Sequence, residues 1–107
     1  MRLRITNNAL DNLEEILFYI EFIEYSPANA LKVKEKIISR IKNDIHKHPL
    51  SFRVCEEIPT KTKIYRKALC KPFWIIYKIK PFEIVILAII HTSRAPSKIR
   101  AVRKVKQ

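Results

Sequence analysis

IYRKALCKPFWIIYKIKPFEIVILAIIHTSR, residues 64–94, decides the fold. Three runs of strand length, residues 63–69, 73–79 and 83–91, are rich in β-branched and aromatic residues. Only Lys71-Pro72 and Lys80-Pro81 separate them. Connections this short make neighbouring strands antiparallel, so the stretch predicts a three-strand meander. The chain contains no glycine, which leaves the two Lys-Pro corners to form the turns. Residues 83–91, EIVILAIIH, are apolar almost throughout, as expected of a central strand covered on both faces.

Upstream, residues 2–6 alternate charge with Leu3 and Ile5 and predict a short strand with one buried face. Thr6 or Asn7 is placed to cap a helix whose apolar stripe is Leu13, Ile16, Leu17, Ile20 and Ile23. Ser26-Pro27 supplies a cap and a first-turn proline for a second helix. Its stripe runs through Ala30, Val33, Ile37, Ile41 and Ile45 and stops before Pro49. Two helices so closely joined form an antiparallel hairpin. Residues 49–62 read as an irregular connection. Residues 96–107 read as a basic tail, either a short helix or frayed. The expectation is a single α+β domain over residues 1–107. An N-terminal strand is followed by a helical hairpin packed on an antiparallel sheet, β-α-α-β-β-β.

Charge is distributed unevenly. Residues 48–107 carry 14 Lys/Arg against 3 Asp/Glu, a net of +11, while residues 1–47 carry 8 against 7. Almost the whole +12 therefore belongs to the sheet and tail, which suits an anionic partner, either nucleic acid or an acidic protein. Neither helix combines a Lys/Arg polar face with an exposed aromatic one, so a membrane surface is disfavoured. No apolar run approaches the roughly 20 residues that span a bilayer. The segment MRLRITNN has no apolar secretion core, so a cytoplasmic location is expected. Cys55 and Cys70 match no metal or redox spacing and read as reduced, structural thiols.

Several side chains carry candidate chemistry. Lys61, Lys63 and Lys67 fall, with Tyr65, on one face of an alternating strand, close to what tracks a phosphate backbone; a solvated strand face explains them equally well. Arg66 lies on the opposite side, suited to bidentate contact with phosphate or carboxylate, or to an ion pair with a helix acid such as Glu14 or Glu21. His91 and Arg94 end the last strand, where a histidine can move a proton and an arginine can hold an oxyanion. Closing the strand end by hydrogen bonding is the plainer role for His91. Trp74 is placed to stack on a base, or to lie under a partner's apolar segment; Tyr77 is a core or rim aromatic. His46 and His48 have no companion ligand at metal spacing.

The element order and charge map resemble the RelE/ParE superfamily, the plasmid stabilisation toxins of bacterial type II toxin–antitoxin systems. The resemblance covers residues 3–94. It rests on Leu13, Ile16 and Tyr19, Pro49, Tyr65-Arg66, Phe73-x-Ile75-x-Tyr77-x-Ile79, Ile84-x-Ile86-Leu87 and His91-x-x-Arg94. It implies a toxin neutralised by a cognate acidic antitoxin, without a cofactor, as a homodimer or within a toxin–antitoxin hetero-oligomer. The implied effector surface is a basic concave side built from Lys61, Lys63, Arg66, His91 and Arg94, with Lys67 a further target-binding residue and Trp74 and Tyr77 facing partners. In a ribosome-dependent mRNA nuclease of the RelE branch, His91, Arg66 and Arg94 would be the catalytic set. Two departures favour the ParE branch, whose members inhibit DNA gyrase by binding. Trp74 stands three residues before Tyr77, where mRNA-cleaving members tend to carry arginine, and no aromatic follows Arg94. A non-toxic basic nucleic-acid-binding module is the reading outside the superfamily.

Overall fold

The protein is described here as a computed structural model covering residues 1–94 and 96–107. The fold is α+β, with a helical hairpin on one face of a five-stranded sheet of order β1-β5-β4-β3-β2. The strands are β1 (Arg2–Ile5), β2 (Arg53–Val54), β3 (Tyr65–Cys70), β4 (Phe73–Ile79) and β5 (Glu83–His91). β3, β4 and β5 form the expected meander. β1 pairs parallel to β5, so the sheet is mixed. β2, inside the stretch read as irregular, adds two residues to the outer edge of β3.

Two features give β5 its continuous apolar sequence. Its inner face meets the hairpin, and its outer face meets the loop after β2 together with the C-terminal helix α3 (Pro96–Ala101). At its middle, a β-bulge shifts the register against β4. Ile76 pairs with Ala88 but Tyr77 pairs with Ile86, so Leu87 and Ala88 both reach the outer core. The carbonyls around the bulge are taken by α1 (Asn7–Phe18). Thr6 donates its hydroxyl to the Ile86 carbonyl at 2.9 Å, and the Asn8 amide donates to that of Leu87 at 2.8 Å. The Ile89 amide donates to the Asn12 side chain at 3.0 Å. Thr6 also accepts from the Ala9 amide, so one residue both caps the helix and ties it to β5.

α1 continues as a wider π-type turn, Tyr19–Ile23, and α2 (Pro27–Ser39) as another, Arg40–Ile45. The first turn changes the phase of the stripe. Ile20 stays buried, but Ile23, expected in the core, is exposed. Ser26 makes no side-chain cap, although Pro27 occupies the first turn as expected. The hairpin bend is closed by the Ser26 amide bonding back to the Ile20 carbonyl, with Tyr25 at φ 54° in the left-handed region. Lys63 has φ 55°, which excludes it from the strand and moves the start of β3 to Tyr65. Glycine normally fills such positions, and any other residue costs about 1 kcal/mol. Tyr25→Gly is therefore expected to raise stability by about 1 kcal/mol, a midpoint shift readable in urea denaturation.

α3 and the 3-10 turn after it, Val102–Lys104, are docked rather than frayed: Ile99 and Val102 are buried against the outer face of the sheet. The Gln107 carbonyl accepts from Arg4, whose guanidinium also pairs with Glu83 at 3.1 Å. Cys55 and Cys70 are free and buried. Burial pushes the Cys55 thiol up to about 11, with Glu57 adding to the effect, so it is not a thiolate at neutral pH.

Candidate functional site

The hairpin and the C-terminal end of β5 enclose an open groove of about 1340 Å³. Small-molecule pockets run from about 300 to 1,000 Å³, so this space is of a size for a polypeptide segment. Ile16, Ile20, Val33, Ile37, Phe73 and Ile89 contribute its apolar lining. Lys32 and Lys36 of α2, Lys71 at the β3–β4 turn, Arg94 and Lys98 supply five cations, against the two carboxylates of Glu15 and Glu24. The ammonium of Lys36 donates to the Lys71 carbonyl at 2.9 Å, linking α2 to the turn.

His91 and Arg94 both line this groove. The His91 ring stands edge-on to Phe73, centroids 5.5 Å apart. Its Nδ1 accepts the Ser93 amide at 3.1 Å and lies 2.7 Å from the Ser93 hydroxyl. Nδ1 is thus engaged by Ser93 of the same strand end. Arg94 is exposed, and its amide bonds the His91 carbonyl at 3.0 Å.

The remaining basic residues from the sequence lie elsewhere. Arg66 pairs with Tyr77 and His91 with Phe73, so they stand about 13 Å apart along the sheet and two strands apart across it. Arg66 donates to the carbonyls of Lys63 (3.1 Å), Leu50 (3.3 Å) and Phe52 (3.1 Å), locking the loop before β2 against β3. Among the described residues no helix acid pairs with it. Lys61 and Lys63 sit in the exposed turn before β3. Lys67 is on the opposite face from Arg66, pairing with Glu57 at 2.9 Å and lying 4.6 Å from the Trp74 ring centroid. Burial pushes the Glu57 carboxyl up, but hydrogen bonding and charge from Lys67 outweigh this and hold it below its usual value. The single concave surface expected from these residues is thus divided between two ends and two faces of the sheet. An alternating strand face requires extended backbone, and Lys63 breaks it.

Trp74 lies half-buried on the outer face, with Lys67 on its ring and Arg53 at 5.5 Å. Tyr77, expected to face a partner, has no exposed surface; its hydroxyl donates to the Pro49 carbonyl at 2.5 Å and burial raises its pKa. Among the described residues no group of three His, Cys, Asp or Glu is placed to hold a metal, and no helix is long and apolar enough to cross a membrane.

Sequence reasoning did not single out Asn8 and Asn12, whose amides fix α1 on the bulge, or Arg40. The Arg40 guanidinium caps the Leu69 carbonyl on the exposed edge of β3 at 2.9 Å and pairs with Asp44. A polar asparagine pair at four-residue spacing beside an apolar stripe was the available signal for the first.

Comparison with known proteins gives two findings. The family described as the ParE toxin of type II toxin-antitoxin system, parDE, matches residues 3–96. A solved structure, the chromosomal ParDE TA system from P. aeruginosa, is similar to this chain with a TM-score of 0.64 and 26% identity. The likeness covers 85% of this chain and 95% of that one. No curated protein matches.

Proposed function

This chain belongs to the ParE toxin family of type II toxin–antitoxin systems, and we propose that it inhibits DNA gyrase by binding and is neutralised by a cognate acidic antitoxin. One observation carries the preference for binding over RNA cleavage. Arg66, His91 and Arg94 do not converge: Arg66 is bound to three backbone carbonyls at the far end of the sheet, and His91 has its Nδ1 occupied. Ribonuclease chemistry needs a base, an acid and a cation around one phosphate, within hydrogen-bond reach of each other.

The antitoxin reading draws on the groove. Its apolar floor and five cations suit a segment that alternates apolar with acidic residues, in helical or extended form. The surrounding positive field would also speed the encounter.

The test is induction of the protein in bacteria, with primer extension on total RNA in parallel with a supercoiling assay on purified gyrase. Blocked supercoiling without cuts in translated codons is the expected result. Discrete cleavage inside codons, with supercoiling intact, would replace this reading with ribosome-dependent nuclease activity.

A further inference from the structure

Most of the molecule is cationic, but one part is the reverse. Residues 5–31 contain five acids, Asp11, Glu14, Glu15, Glu21 and Glu24, and no lysine or arginine. The rest of the chain holds all 22 Lys/Arg and only the other 5 acids. Among the described residues, seven of the ten large apolar side chains left exposed also fall between Leu10 and Leu31. Four-residue spacing along the first helix places Leu10, Glu14, Phe18 and Phe22 on one ridge. The Phe18 and Phe22 rings pack against each other with centroids 4.9 Å apart, yet remain 57% and 54% exposed. None of these four residues lines the groove. Paired aromatics left in solvent on an acidic helix have the composition of an interface core without its partner.

We infer that this ridge is the surface with which the toxin meets its target, docking on a cationic, DNA-handling face of the gyrase. The inference rests on the proposed gyrase reading and names the contact that carries it. Charge complementarity selects the occupant. An acidic antitoxin segment is repelled by Asp11 and Glu14, which lie outside the groove, and attracted to the groove's cations, and an anionic lipid surface is repelled in the same way. A protein that handles DNA presents lysine and arginine to phosphates, and such a surface is complementary to residues 5–31, where five acids stand without a lysine or arginine in a chain of net charge +12. The two docking surfaces are therefore of opposite sign: the groove for the antitoxin, and the first-helix ridge for the target.

The experiment compares the wild-type toxin, a Phe18→Ser/Phe22→Ser double variant and Glu14→Lys in gyrase supercoiling assays. Antitoxin binding by each protein is measured alongside as a check of fold and groove. Both aromatics are exposed, so the double variant is expected to fold and to bind antitoxin as wild type does. It is expected to need at least about tenfold more protein for half-inhibition, the loss typical of removing interface anchors. Glu14→Lys is expected to weaken inhibition and to reduce its sensitivity to salt. Equal inhibition by wild type and both variants overturns the ridge and leaves the gyrase reading standing. A wild-type toxin that leaves supercoiling untouched overturns both. A double variant that also loses antitoxin binding overturns the separation of the two surfaces.

Discussion

A toxin carrying Lys71→Glu and Arg94→Glu is expected to bind its antitoxin at least about 100-fold more weakly while folding normally. Both side chains are exposed at the groove, and among the described residues neither enters an ion pair. Reversal replaces two attractions with two repulsions toward an acidic segment. Like-charge juxtaposition costs several kcal/mol at an interface, and about 2.7 kcal/mol is 100-fold in affinity. Calorimetric titration with the antitoxin measures the change, and thermal unfolding checks the fold. Unchanged affinity would show that the antitoxin sits elsewhere.

Arg66→Ala has the opposite expectation: loss of stability, with toxicity falling only as far as the folded population does. The guanidinium bonds three carbonyls from two separate segments, and alanine strands them together. Hydrogen bonds from a charged donor are worth about 1.5–3 kcal/mol each when buried, and these are partly exposed, so a total of about 2–3 kcal/mol is expected. For a chain of this size that lowers the thermal midpoint by about 10–20 °C. Arg66→Lys should restore little, because one ammonium cannot span three acceptors in the fixed geometry of the guanidinium. Arg94→Ala is the contrast, leaving the midpoint in place. An Arg66→Ala protein of full stability that has lost toxicity would return Arg66 to the effector surface.

The helical hairpin, the meander and the interior position of β5, covered on both faces, were all legible in the sequence. Each is written in a period: Leu13, Ile16 and Ile20 at helical spacing, Ile75 and Tyr77 at strand spacing, and an unbroken apolar run in β5. Positive charge on the sheet half was equally plain, because counting needs no geometry. The bulge at Leu87 was hidden, since a residue added to a strand already apolar on both faces leaves the pattern unchanged. The exposure of Ile23 was hidden by the π-type turn, although Phe18 and Phe22 at four-residue spacing lie off the stripe and gave notice of a second apolar face.

By itself, then, the sequence determined the fold, because burial of apolar surface acts through local periodicity that a chain displays along its length. It also determined which half is cationic. Only the tertiary structure decided which cations stand together. Lys63 in a left-handed turn, Lys67 turned to the outer face and Arg66 consumed by the loop before β2 are separated by where the chain bends, while Lys71, Arg94 and Lys98 meet Lys32 and Lys36 across more than thirty residues of sequence. Electrostatic surfaces are made by proximity in space, and no spacing along the chain encodes it.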